Sequence, residues 1–372
     1  MKNQKFDDLR PYYDEEIPAA MNRIADSEYF PALAAFAYPG HNPEDVKQTM
    51  RSYSTINDFQ LQAMKAVNDQ VIARSIRCFT FEGINALDKE EHYLFVSNHR
   101  DIMLDSSLLQ YALYCSGFRT TEITFGSNLM SSQLVIDIGK SNKMFKVIRG
   151  GNAKDFYHNS LHLSDYIRYT LSEKKESIWI AQRNGRTKDG IDATDQGIVK
   201  LFYMGSPEKP ADALLGLHIV PVSISYQWEP CDCLKARELY TLRRTGAYIK
   251  KADEDMKSIL AGLMQPKGNV HIAVGTPLQA EDLEPLRGWP NNKFNKQVAA
   301  LIDEQIHRNY RLTNNHYIAH DLRSHSEQYA SYYTPEEKET FLEHFRQCLT
   351  PDIEDKALLS DIFLGIYANP VR

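Results

Sequence analysis

From residue 79 to about 280, short apolar runs alternate with helix-like stretches, and this alternation restricts the available folds more than any other feature of the chain. The runs fall at 93–97, 122–126, 145–149, 177–182, 218–225 and 269–275. Several are apolar without a break, as strands covered on both faces are. Between them lie stretches with helical spacing, notably 106–115 and 155–174. Strands alternating with helices predict an α/β fold with a mostly parallel central sheet covered by helices.

The flanks read as helical extensions, residues 1–78 before the α/β domain (79–280) and 281–372 after it. Asn42-Pro43-Glu44-Asp45 is a helix start: a capping residue, proline in the first turn, and acids at the positive end of the dipole. Phe294, Val298, Leu301, Ile302 and Ile306 recur at helical spacing, and Thr334-Pro335-Glu336-Glu337 combines a capping box with proline. A chain of 372 residues has room for this three-part layout.

Hydrophobic residues make up 42% and charged residues 25%, an ordinary soluble globular balance. The net charge of −6 argues against a nucleic-acid partner, which usually requires a basic face. Cys78, Cys115, Cys231, Cys233 and Cys348 are odd in number and scattered. Their spacing shows no zinc or disulfide framework, so the expectation is ordinary thiols in a reducing compartment and no metal. The N-terminus has no apolar signal core, and the longest apolar run, 29–38, is interrupted by Pro31. A membrane span needs about 20 apolar residues, so the expectation is no transmembrane helix, a cytoplasmic location, and surface contact at most with a membrane.

The chemistry concentrates in LFVSNHRDIMLDSSLL, residues 94–109. A strand there opens onto His99, Asp101 and Asp105 before a helix begins. In open α/β sheets, ligands bind beyond the carboxyl ends of strands. Imidazole suits proton transfer near neutral pH, and a carboxylate on its second nitrogen fixes the tautomer. Residues six apart on one helix are rotated by about 240° and lie about 9 Å apart along the axis. His99 therefore reaches Asp105 only from the turn, whereas Asp101 is placed to cap the helix or to partner His99 itself. The plain alternative is a polar loop histidine beside two capping aspartates.

Two further strands end in arginine and glycine. KMFKVIRGG (143–151) ends in Arg149, and SIWIAQRNGRTKDG (177–190) runs into Arg183, Arg186 and Lys188. Arginine offers a planar fork for phosphate, and glycine lets the backbone approach an anion. A third strand, HIVPVSISY (218–226), contains Pro221.

Together the four blocks resemble the glycerolipid acyltransferase superfamily, which includes the glycerol-3-phosphate and 1-acylglycerol-3-phosphate acyltransferases. The histidine–aspartate block resembles Asn98-His99-Arg100-Asp101-Ile102-Met103-Leu104-Asp105. The second resembles the run ending in Arg149, the third Arg183-Asn184-Gly185-Arg186-Thr187-Lys188-Asp189-Gly190, and the fourth Val220-Pro221-Val222. The resemblance implies acyl transfer from a thioester, acyl-CoA or acyl carrier protein, to an acceptor hydroxyl, without cofactor or metal. His99 would be the general base, Asp105 its orienting partner, and Arg149, Arg186 and Lys188 the phosphate ligands. Asn98, Arg100, Asp101, Gly185 and Pro221 would support them. The implied acceptor is glycerol 3-phosphate or a lysophospholipid, at a peripheral position on the inner face of the cell membrane.

The chain departs from the family pattern twice. Five residues, not four, separate His99 from Asp105, and Arg183-Asn184 replaces the family's glutamate beside the acceptor site. The second departure motivates a non-phosphate acceptor such as an amino-acid lipid; the first motivates a non-catalytic relative that binds lipid or acyl carrier. The basic run 235–251, with Lys235, Arg237, Arg243, Arg244, Lys250 and Lys251, reads either as a face for anionic lipid or carrier protein, or as a solvated helix face.

Overall fold

The computed structural model describes residues 4–251 and 253–371. Seven strands form one sheet: β1 (Ile76–Glu82), β2 (Leu94–Ser97), β3 (Glu122–Gly126), β4 (Met144–Val147), β5 (Ile178–Ala181), β6 (Ile219–Tyr226) and β7 (Gly268–Val274). Their order is β1-β7-β6-β2-β5-β3-β4. All neighbours are parallel except β6 and β7. The five strands β2 to β6 therefore point their carboxyl ends to one edge of the sheet, with β2 at the centre.

Both faces of the sheet are covered, and side chains alternate between them. Leu94 and Val96 of β2 join Ile178, Ile180, Ile219, Tyr166, Phe202 and Ile302 in one core layer. Phe95, between them, joins Trp179, Val220, Leu104, Leu108 and Ala112 in the other. Each fully buried large apolar side chain contributes about 1.5–3 kcal/mol. Double coverage is why the central strands read as unbroken apolar runs.

The flanking helices each build a small core of their own. Helices Ile17–Ala25, Phe30–Ala37 and Pro43–Arg51 pack with Phe59 and Ala63, with Leu134 and Ile138 partly buried against them. Asn42 accepts from the Glu44 N–H at 2.9 Å, as its capping role requires. Helices Asn314–Ser324, Pro335–Cys348 and Lys356–Ala368 enclose Phe341, Phe363 and Tyr367, together with Ala236 and Tyr240 from helix Asp232–Thr245.

Several local expectations need correction. β1 begins at Ile76, inside the stretch read as helical, and lies at the sheet edge, where its residues are only partly buried. β4 ends at Val147, so Arg149 stands in the loop that follows. Cys233 and Cys348, read as separate thiols, are joined as a disulfide across 115 residues of sequence.

The basic run 235–251 is not a free cationic face. Lys235 is buried and paired with Glu229. Arg243, Arg244 and Lys250 pair with Asp361, Glu354 and Asp255. Arg237 is bonded to the Cys348 carbonyl and to Thr350. Most of the charge of the run is therefore met within the protein, for Arg243 and Arg244 by partners distant in sequence.

Candidate active site

Just past β2, the Asn98 backbone N–H still donates to the Val222 carbonyl at 3.3 Å, and the Asn98 side chain takes over the pairing beyond it. Its amide oxygen accepts from Ile224 N–H at 2.8 Å, and its amide nitrogen donates to the Ile224 carbonyl and to Asp192, each at 3.0 Å. This locks the strand end to β6 and turns the chain out of the sheet at His99.

The next five residues form a loop closed by two aspartates. Asp101 Oδ1 accepts from the N–H groups of Met103 and Leu104 at 2.9 and 2.8 Å, capping helix Leu104–Cys115. In the first turn of that helix, Asp105 folds back. Its Oδ2 accepts from the backbone N–H of Arg100 at 2.6 Å and of Asp101 at 2.9 Å, and lies 2.9 Å from His99 Nδ1. Its Oδ1 accepts from the Tyr226 hydroxyl at 2.8 Å. Asp101 is thus the cap and Asp105 the partner of the imidazole, and the extra residue is absorbed in the loop.

Burial makes the arrangement polarised. The Asp105 side chain is 1% exposed and that of His99 13%. With two backbone N–H groups already donating to the same oxygen, Nδ1 carries the proton to Asp105 and Nε2 is left with its lone pair. Nε2 makes no hydrogen bond to the described residues, and the Trp179 ring stands edge-on to the imidazole at 5.8 Å. Burial pushes the Tyr226 hydroxyl well above its usual range, and the Asp105 and Asp101 charges add to this, so it stays a donor.

Behind His99 sits a closed set of charges. Arg100 turns inward, donating to Asp192 at 2.6 Å and to Glu229 at 3.2 Å, with its guanidinium over the Tyr310 ring. Lys235 donates to Glu229 and to the Arg100 carbonyl, both at 2.6 Å. Two cations face two anions, which is how a buried charge set avoids leaving an uncompensated ion. Burial opposes the charge on Arg100, but Asp192, Tyr310 and Glu229 outweigh it and hold the group above its usual range. Burial likewise works to raise Asp192, and Arg100 overrides it and keeps the carboxyl ionised.

The loop after β5 leans on the same turn. Thr187 N–H donates to the His99 carbonyl at 2.7 Å, and Asp192 anchors the loop through Asn98, Thr187 and Arg100. Gly185 takes φ +78°, which lets the loop reverse after Asn184. Arg186 is half-buried, its Nη1 fully buried without a hydrogen-bond partner. Pro221 lies in β6 opposite Val96, and its carbonyl accepts from Gly275 N–H at 2.8 Å.

The expected cations fare differently. Arg149 is exposed after β4, with its guanidinium against Gly126, and makes no ion pair with the described residues. β4 is three strands from β2, about 14 Å at the usual strand spacing. Lys188 is tied to Glu238 as an ion pair and so differs from Arg186 and Arg149 in having its charge already met. Tyr226, Asp192, Glu229 and Lys235 were not singled out as site residues from the sequence. Of these, Tyr226 carried a signal as the last residue of a recognised strand, and Lys235 as the first of the basic run.

Residues 78–225 match the family model described as Acyltransferase. That match covers all four sequence blocks and supports their resemblance to the glycerolipid acyltransferase superfamily. No curated protein matches the chain. Among solved structures, the 1-acyl-sn-glycerophosphate (LPA) acyltransferase PlsC from Thermotoga maritima is similar at 13% identity, over 79% of this chain and 98% of that one, with a TM-score of 0.34.

Proposed function

We propose that this chain transfers a fatty acyl group from a thioester, acyl-CoA or acyl carrier protein, to a hydroxyl of glycerol 3-phosphate or of a lysophospholipid such as 1-acylglycerol 3-phosphate. The observation that carries the reading is the 2.9 Å contact between His99 Nδ1 and Asp105, with Nε2 left without a partner. Nε2 takes the acceptor hydroxyl proton as the oxygen attacks the thioester carbonyl. The tetrahedral intermediate collapses, the C–S bond breaks, and the imidazolium returns the proton to the leaving thiolate. General-base assistance of this kind contributes about 10²–10⁴ in rate. Asp105 holds the ring and stabilises its charged form. A thioester is already activated, so the step needs no covalent enzyme intermediate.

Arg186 and Arg149 are assigned to an acceptor phosphate, supported by the unsatisfied Arg186 Nη1 and the unpaired Arg149 guanidinium. Lys188, held by Glu238, is assigned no direct contact unless that pair opens. Membrane or carrier contact draws its support from the exposed Met256, Leu260 and Met264, one turn apart on helix Glu254–Met264, rather than from the neutralised basic run. Among the described residues no helix is long and apolar enough to cross a membrane. The non-phosphate acceptor remains the second reading, on the strength of Arg183-Asn184 at the acceptor loop.

Radiolabelled acyl transfer to a panel of phosphorylated and unphosphorylated acceptors tests both. The expected result is transfer that His99→Ala abolishes. Arg186→Ala should raise KM for phosphorylated acceptors by about tenfold or more, the worth of one charge-assisted hydrogen bond, and leave other acceptors unchanged. Undiminished transfer by His99→Ala would refute the base assignment, and an equal KM rise for both acceptor classes would refute the phosphate clamp.

A further inference from the structure

One cluster of metal-ligating side chains plays no part in acyl transfer. Asp232 and Cys233 open helix Asp232–Thr245. His344 and Cys348 stand one turn apart on helix Pro335–Cys348, on the same face. One donor atom each from Asp232, Cys233 and His344 lies within 4.8 Å of the other two. Cys348 adjoins this cluster, its sulfur bonded to that of Cys233 with the two Cα atoms 5.2 Å apart. One sulfur, an imidazole nitrogen and a carboxylate oxygen thus converge from two helices, with a second sulfur bonded to the first.

We propose that, when the disulfide is reduced, Cys233, Cys348, His344 and Asp232 bind one zinc ion in a closed tetrahedral site. The donor set selects the metal: two thiolates with an imidazole favour zinc over magnesium or calcium, which prefer all-oxygen shells. The three clustered donors need little rearrangement, and the Cys348 sulfur, once released from Cys233, turns in to complete the set. Zinc sits about 2.0 Å from nitrogen and oxygen and about 2.3 Å from sulfur. His344 Nε2 is 2.6 Å from Asp232 Oδ2, so the ion takes the place of the proton between them after an opening of about 0.7 Å. The two sulfurs separate to about 3.8 Å.

A supporting shell is already built. Tyr367 donates to Asp232 Oδ2 at 2.6 Å, while Gln265 and the Cys233 N–H donate to Oδ1 at 3.3 and 2.8 Å. The Trp228 ring packs edge-on against His344 at 4.7 Å. Such contacts fix ligand orientation in metal sites. With four protein donors no position stays open, so the ion is structural rather than catalytic.

The redox balance is simple. A dithiol reductant supplies two electrons and two protons to the Cys233–Cys348 bond and itself becomes a disulfide. Zinc then displaces both thiol protons and forms two Zn–S bonds. The proposal departs from the expectation of no metal, which linear spacing suggests because Cys233 and Cys348 lie 115 residues apart.

The test uses the full chain, reduced, stripped of metal and titrated with cobalt(II) as a spectroscopic probe. The expected result is about one cobalt per chain, with thiolate-to-metal absorption and tetrahedral visible bands that zinc abolishes. Cys233→Ser/Cys348→Ser should lose the thiolate absorption, and His344→Ala should bind at least about tenfold more weakly. The oxidised wild-type chain, which needs no substitution to fold, should take up no cobalt. Equal uptake by oxidised and reduced wild type, or undiminished thiolate absorption in the double variant, overturns the proposal. So does absence of stoichiometric uptake by the reduced, folded chain.

Discussion

Asp105→Asn isolates the charge at the centre of the proposed mechanism, because the geometry forces the new amide into one orientation. The oxygen that replaces Oδ2 must face the Arg100 and Asp101 N–H groups, now 2.6 and 2.9 Å away. The flipped amide would point its own N–H at two backbone donors. In the allowed orientation the amide nitrogen faces the Tyr226 oxygen, which turns from donor to acceptor. His99 Nδ1 still finds an oxygen, so the tautomer survives and only the negative charge is removed. In the transition state the imidazole is cationic, and with Nδ1 2.9 Å from Oδ2 the charge centres lie roughly 4 Å apart. At an effective dielectric of about 20 that interaction amounts to about 4 kcal/mol. The expected loss in kcat is therefore about 10³-fold.

The folded state also weakens, and this must be measured separately. Three N–H bonds to a carboxylate become bonds to a neutral amide, each losing roughly 1 kcal/mol, offset by the lower cost of burying an uncharged group. A net loss of about 1–2 kcal/mol leaves a marginally stable domain folded. Asp105→Ala would instead orphan two backbone donors and a buried hydroxyl, at about 1–3 kcal/mol each, and would confuse unfolding with inactivity. The assay is thiol release from an acyl thioester at saturating acceptor, paired with a thermal melt of the same preparation. A folded Asp105→Asn enzyme whose kcat falls less than about tenfold, beside an inactive His99→Ala, would refute the reasoning.

Two further predictions concern the scaffold. His316 is buried, its Nδ1 accepts from the Thr313 N–H at 3.0 Å, and burial, reinforced by the Arg100 charge, pushes its pKa down to about 3. An unfolded histidine near 6.5 binds a proton that the folded one refuses, so stability should fall as pH drops from about 6.5 toward 3, by about 1.4 kcal/mol per pH unit. Urea unfolding across that range checks it; His316→Gln should flatten the slope, and an equally acid-sensitive variant would remove His316 as the cause. Gly190 takes φ +79°, and a Cβ there would lie 2.2 Å from the Ile366 carbonyl oxygen. Gly190→Ala should cost about 1–3 kcal/mol in the same assay, from steric overlap and left-handed strain; no change in the urea midpoint would mean that the close approach relaxes freely.

How much of this was legible in the sequence depends on how local each feature is. β3 was read at its observed bounds, and β2, β5 and β6 within a residue at each end, because burial on both faces concentrates apolar and β-branched residues in short runs. β1 was missed because at the sheet edge Ile76–Glu82 carries Arg77, Cys78 and Thr80 and continues directly from a helix. The Asn42 and Thr334 starts were legible because their partners lie two or three residues away. The fate of the basic run was not: what neutralises Lys235, Arg243 and Arg244 comes from Glu229, Asp361 and Glu354, set by packing rather than by spacing. The Cys233–Cys348 pairing was hidden for the same reason.

The extra residue between His99 and Asp105 shows why spacing alone misjudges a site. Counted along a helix it displaces the carboxylate; in the folded loop it changes which peptide groups meet it. Asp101 spends one oxygen on the helix start, which fixes where Leu104 begins and brings Asp105 round in its first turn. The peptides of Arg100 and Asp101 then converge on Asp105, so the carboxylate that holds the imidazole also holds the loop that carries it. Arg100, freed from the active-site side, turns into the core and ties that loop to Asp192 and Glu229. Glu229 and its neighbour Asp232 are in turn bonded to Tyr367 in the C-terminal helices. The position of one imidazole is thus set from four separated stretches of chain, which is why the C-terminal helices, remote in sequence from every family motif, belong to the physical account of the site.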